Sequence, residues 1–184
     1  MALRDIITVG DPRLRKRSHP VEKVTPEVRE LIRDMVETMD AANGVGLAAV
    51  QVGEMVRVIV IETPEDEEDP TSGKLYIVIN PEIVKMSKET AVGSEGCLSV
   101  PGYAGEVERA TEVVVRGLDR HGKPFRLRAR GFLARVFQHE IDHCNGVLYT
   151  DRLVAPDRIW EVKPGEEEQV EVEAARRRTA ALVG

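Results

Sequence analysis

Apolar positions recur along this chain with two different periods, and the changes of period mark its elements. From Thr25 onward the spacing is three and four. Val28, Leu31, Ile32, Met35, Val36 and Met39 fall on one stripe, which predicts an amphipathic helix reaching about Ala42. Thr25 offers a capping hydroxyl and Pro26 suits the first helical position, so the start is well marked. A second helical stretch begins near Gly131, carries Phe132, Leu133, Val136 and Phe137 on one side, and stops at Asn145-Gly146. Between the two helices the pattern is that of strands. Met55 to Ile61, Lys74 to Asn80 and Thr111 to Leu118 are rich in β-branched residues and bounded by Gly, Pro or Asn. Asp119-Arg120-His121-Gly122 has the composition of a hairpin turn leading to a further strand near Pro124 to Arg128, with His121 exposed.

The remaining segments punctuate this pattern. Residues 1–24 read as an extended arm with a turn at Gly10-Asp11-Pro12, and their basic cluster, Arg13, Arg15, Lys16 and Arg17, fits a solvated face. Pro64 to Gly73 is acidic, lacks an apolar anchor and reads as a mobile surface loop without a chemical task. After Trp160 the chain turns polar, with an acidic run from Glu166 to Glu173 and a basic one from Arg176 to Arg178. A helix with ends matched to its dipole and a frayed, solvated tail are both compatible with that stretch.

Composition narrows the class. A chain of 184 residues buries about two-thirds of its unfolded surface, enough for one domain without disulfides. Hydrophobic residues make up 42% and aromatics only 4%, so the core must rest on Val, Leu, Ile and Ala. A formal charge of -6 and a pI near 5.4 argue against a domain built to hold nucleic-acid phosphates or an anionic membrane surface. No segment approaches the roughly 20 apolar residues of a membrane span, and the start lacks the apolar core of a secretory signal. A cytoplasmic location is therefore expected. There, two cysteines, Cys97 and Cys144, serve metals or catalysis more often than disulfides.

The most informative string is Gln138-His139-Glu140-Ile141-Asp142-His143, inside the second helix. On helical geometry His139 and His143 lie one turn apart on one face, so both imidazoles can reach one metal ion. Glu140 stands between them in sequence, where its carboxylate can take a proton from an activated water. A surface helix carrying two histidines gives the same string, although the apolar residues 132–137 argue for burial. Glu95-Gly96-Cys97-Leu98-Ser99 supplies a third candidate ligand, Cys97, beside a glycine that lets the backbone come close. An inert buried thiol is the other reading of Cys97. Cys144 follows His143 directly and would point about 100° away from it, as a small core residue. Gly44-Val45-Gly46-Leu47-Ala48-Ala49-Val50-Gln51 combines small residues with an amide donor at Gln51 that could stabilise an oxyanion. A tight helix-to-strand turn with a surface glutamine explains that segment equally well.

Taken together and in this order, the three segments closely resemble the motifs of peptide deformylases, and Asp11-Pro12-Arg13-Leu14 and Asp119 to Pro124 extend the likeness over about residues 1 to 155. The resemblance implies an α+β fold of small antiparallel or mixed sheets packed around a central metal-binding helix. A catalytic unit over 1–160 and a charged tail over 161–184 are expected. It implies that Cys97, His139 and His143 bind one divalent metal, with iron(II) native and zinc, nickel or cobalt able to replace it. Glu140 would be the general acid and base, and Gln51 with the backbone N–H of Leu98 the oxyanion donors. Gly46 would bind the substrate chain in extended form, Val45, Val136 and His139 would surround the methionine side chain, and Glu95, paired with Arg109, would shape that pocket. Ala104 stands near a place where some members carry an arginine that contacts the peptide beyond methionine. The implied reaction removes the formyl group from the first methionine of nascent polypeptides. The expected partners are those peptides and, through Arg176 to Arg178, transiently the ribosome; neither a membrane nor a specific nucleic-acid sequence is expected. Two rivals share the residues. A zinc peptidase would place its third ligand downstream as Glu, Asp or His, and a structural metal site would close with a fourth protein ligand from Cys144, His19 or His121.

Overall fold

The strand Val58–Glu62 is apolar at every position but its last, and all four of those apolar residues are buried. Such a run suits the interior of a sheet rather than an edge. In the computed structural model, which describes residues 2–169 and 172–173, it is β2 of a five-stranded sheet. The strands β1 (Gly46–Ala48), β2, β3 (Leu75–Met86), β6 (Glu112–Leu118) and β7 (Pro124–Arg130) lie in the order β1-β2-β3-β6-β7. A second sheet has the order β4-β5-β8, from β4 (Thr90–Gly96), β5 (Tyr103–Ala110) and β8 (Ile159–Glu161). Every pairing within the two sheets is antiparallel.

The expected strands are present, with shifted limits. β3 runs six residues past Asn80 because its register shifts between Ile79 and Glu82, where Pro81 has no N–H to give the ladder. Asn80 itself adopts φ 54, and its side chain bonds both the N–H and the C=O of Val21, pinning the amino-terminal arm to the sheet. The turn at Asp119 closes as expected, with Gly122 at φ +80 and His121 exposed. β4 and β5 were not legible. Their sequences, TAVGSEG and YAGEVERA, carry Gly, Ser and Glu where a strand ordinarily shows β-branched residues.

The first helix, α1 (Pro26–Ala41), is capped by the Thr25 hydroxyl accepting the Val28 N–H and buries the expected stripe against the sheet. The second, α2 (Gly131–Cys144), lies at the centre and packs against β1, β2, β3, β5, β6 and β7. Two surface segments make contacts that their sequences did not announce. The loop 63–74 is tied to itself, since Asp66 N–H donates to Ser72 Oγ at 2.7 Å and Ser72 Oγ to the Asp69 carbonyl at 2.6 Å. The hydroxyl of Tyr76, in β3, donates to the loop's Thr71 carbonyl. The stretch after Trp160 is not simply solvated: Glu167 and Glu168 are buried. Arg176 to Arg178 lie outside the described residues. No helix among the described residues is long and apolar enough to cross a membrane.

Candidate metal centre and peptide groove

α2 buries every residue from Leu133 to Cys144, polar ones included. His139 and His143 stand one turn apart with ring centroids 5.0 Å from each other. Cys97 follows β4 in a turn closed by the Val100 N–H donating to the Cys97 carbonyl, and its Sγ lies 3.4 Å from His143 Nε2. One ligand atom from each of Cys97, His139 and His143 lies within 4.8 Å of the others, and all three residues are buried.

Burial of this many polar groups demands partners. Glu95, wholly buried, accepts from His139 Nδ1 at 2.9 Å, from Arg109 Nε and Nη2 at 2.8 Å each, and from Arg135 Nη1 at 2.7 Å. The bond to Nδ1 leaves His139 Nε2 to face the cluster and fixes the ring. Asp142 accepts from Arg109 Nη1 at 2.6 Å and from Arg152 Nε at 2.7 Å. Gln138 holds the helix to β5 by accepting the Ala110 N–H and donating to the Ala110 carbonyl. Burial alone would raise the Glu95 pKa, but Arg109 and His139 carry it far below the ordinary carboxylate range.

The site's own titrations follow from the same surroundings. Burial pushes the Cys97 thiol up, partly offset by His139. Burial also disfavours charge on His139, yet its bonds to Cys97 and Glu95 outweigh this and raise it well above the usual imidazole value. His143 is held well below that value by burial and by the charges of His139 and Arg109. Burial drives the Glu140 carboxyl up to about 8, with His139 opposing and Glu168 and Glu95 adding to the rise.

A thiol and two imidazoles converging in a buried pocket form a donor set suited to a borderline transition-metal cation. Glu140 Oε2 is buried without a hydrogen-bond partner among the described residues, so a charged or water-bearing neighbour is missing from its surroundings. The residues fit a cation in both respects. Glu140 also lies against Gly46: a Cβ there would stand 2.6 Å from Glu140 Oε1, so any larger residue would displace the carboxylate.

The structure brings together almost every residue that sequence reasoning singled out. Gln51 is 1% exposed, which removes the surface-glutamine alternative; its Nε2 donates to Ser99 Oγ at 3.0 Å and lies 3.6 Å from Cys97 Sγ. Val45 and Val136 share one apolar cluster, and Leu98 stands half-buried beside Gly44. Cys144 is buried outside the three-residue cluster, and His121 and His19 are exposed. Sequence reasoning missed Arg135, Asp142 and Arg152, whose types suggest surface until their partners are known. It also missed Glu167 and Glu168, for which an acidic run gives no signal.

Similarity to known proteins agrees with this geometry. Residues 3–158 match the family model described as polypeptide deformylase. A peptide deformylase of Thermomicrobium roseum is 48% identical over 174 residues, covering 93% of this chain and 97% of the relative. One from Halothermothrix orenii is 50% identical over 154 residues, 84% of this chain and 96% of the relative. Among solved structures, the peptide deformylase of Ehrlichia chaffeensis in complex with actinonin superposes with a TM-score of 0.81 at 41% identity, covering 97% of this chain and 98% of that one. The class I type b enzyme of Acinetobacter baumannii bound to Met-Ala-Ser gives 0.78 at 36% identity, over 83% and 99%. With a match over most of its length and a buried Cys-His-His cluster at its centre, the chain belongs to the peptide deformylase family, metal-dependent hydrolases that remove the N-formyl group from newly made polypeptides.

Proposed function

We propose that Cys97 Sγ and the Nε2 atoms of His139 and His143 hold the divalent cation, and that Glu140 moves the protons of the reaction. The observation that carries this reading is the convergence of the three ligand atoms next to a buried carboxylate oxygen with no partner among the described residues. Iron(II) suits one thiolate and two imidazoles, and zinc, nickel or cobalt can occupy the same donors. When bound, the cation supplies Lewis acidity to a water and to the formyl carbonyl.

The remaining work falls to the chain's own residues. The substrate lies extended past Val45 and Gly46, with its methionine side chain between Val45, Val136 and His139, in a pocket held by Glu95. The Met-Ala-Ser peptide bound by the Acinetobacter relative supports this choice of ligand. Glu140 accepts a proton from the attacking water and delivers it to the departing methionine nitrogen, so that water and amide become formate and a free amine. The Gln51 amide and the Leu98 N–H donate to the oxygen that gains charge on the way. Residues 1–160 form the catalytic unit and 161–184 a charged tail. Its Arg176 to Arg178 run offers a local basic contact for the ribosome in an otherwise acidic chain, consistent with work on nascent peptides in the cytoplasm.

The test is formate release from an N-formyl-methionyl peptide, measured anaerobically with iron(II), by the parent and by Glu140→Gln. The variant is expected to keep its fold and its metal and to lose about 10²- to 10⁴-fold in rate. Equal release by both would overturn the assignment of the base.

A further inference from the structure

The family match ends at residue 158, yet the chain beyond it returns to the site. Glu168 lies over the β1 wall of the groove. Its carboxylate accepts the Val45 N–H, and its Oε2 would stand 3.1 Å from a Cβ on Gly44. Glu167 lies over the opposite wall. Its carboxylate accepts the Gly102 N–H at 2.7 Å, and its own carbonyl oxygen would stand 2.2 Å from a Cβ on Gly96. Val172 packs against the apolar cluster that contains Val45 and Val136, and it borders a cavity of about 500 Å³ together with Val45, Glu62 and Glu65.

Two glutamates at 2% and 4% exposure need a reason to be buried. Among the described residues, these carboxylates accept from backbone amides, at Val45, Gly102 and Gly165, and not from arginine or lysine side chains. Amides on a groove wall are the donors that meet the carbonyl oxygens of an extended peptide. The bare Cα of Gly96 leaves room for a second backbone, here that of Glu167, and the bare Cα of Gly44 leaves room for the Glu168 carboxylate. We propose that the segment carrying Glu167 and Glu168 is an intramolecular occupant of the peptide groove, which a formylated substrate must displace before it reaches Glu140. This rests on the reading above that substrate runs past Val45 and Gly46.

Displacement has a kinetic signature. When only a fraction of molecules has an open groove, the apparent affinity for substrate falls by that fraction, while turnover of the bound complex is unaffected. The experiment uses the full chain loaded with iron(II), as parent, Glu167→Ala and Glu168→Ala. It measures KM and kcat for an N-formyl-methionyl peptide, together with amide hydrogen exchange at Val45 and Gly102. The expected result is a fall in KM of roughly three- to tenfold in each variant with kcat unchanged. Exchange should quicken at Val45 in Glu168→Ala and at Gly102 in Glu167→Ala, and saturating peptide should quicken the Gly102 amide in the parent. Unchanged KM with unchanged exchange in both variants would overturn the proposal. So would a fall in kcat at constant KM in Glu168→Ala, which would put that carboxylate in the chemical step. If the exchange results are as expected but the parent releases no formate, the competition with substrate falls because the underlying reading has failed, and the tail contact itself stands.

Discussion

The two helices of this protein are of similar length, and both carry an apolar stripe in sequence, yet they are buried in different ways. α1 buries Leu31, Ile32, Met35 and Met39 on one side, and its buried polar residues, Asp34 and Thr38, hold the amino-terminal arm through Ala2 and Arg4. α2 is buried all round from Leu133 to Cys144, so its polar residues are enclosed together with its apolar ones. A helix stabilised by apolar packing alone would not enclose Arg135, Gln138, His139, Glu140, Asp142 and His143, because each unpaired polar group costs free energy there. For Arg135, Gln138, His139 and Asp142 that cost is offset by the shell of Glu95, Arg109, Arg152 and the Ala110 backbone, and through Glu95 the shell orients His139, a candidate metal ligand. α1 shows what packing requires, and α2 shows what chemistry adds.

Three substitutions sharpen that contrast. The largest effect is expected from Arg109→Met. It leaves Asp142 and Glu95 each short of a buried cation and is expected to cost about 3–5 kcal/mol in urea denaturation. Metal affinity should fall with it, because Glu95 loses the partner that steadies its hold on His139. Retention of full metal affinity in the folded variant would mean that the shell stabilises α2 without orienting it. Met35→Ala on α1 removes a wholly buried side chain and is expected to cost about 2–5 kcal/mol. Here kcat per folded molecule should not change; a parallel loss of turnover would break the division between the helices. Thr25→Ala deletes only the cap of α1 and is expected to cost about 1 kcal/mol, read as a small drop in Tm with unaltered kinetics.

What was legible in the sequence follows the same division. α1 was readable to within a residue, because cap, first-turn proline and stripe all agree on one answer. The Cys-His-His cluster was readable because helical spacing alone brings His139 and His143 together, the glycine beside Cys97 made that thiol the third candidate, and the resemblance implied the same set. The β4–β5 hairpin was not, since Gly93, Gly96 and Gly105 weaken any strand signal. Gly96 and Gly105 are nonetheless needed: a Cβ at Gly105 would stand 2.5 Å from Leu153, and one at Gly96 would strike the Glu167 carbonyl. The arginine and carboxylate shell was hidden for a related reason. A charged residue is assigned to the surface by type, and only its partner, remote in sequence, permits burial. Arg135 and Ala91 are 44 positions apart, and Glu95 and His139 are likewise 44 apart.

β1 is three residues long and, among the described residues, pairs only with β2. An exposed strand edge is the usual point at which folded chains stick to one another, and proteins that keep a long, flat one open risk assembling into aggregates. An edge of three residues, set between the turn at Gly44 and the 3₁₀ turn Ala49–Val52, gives a neighbouring sheet too little ladder to grip. On the function proposed above, the shortness of β1 then selects by size and rigidity, suiting a flexible chain end better than the edge of another folded sheet.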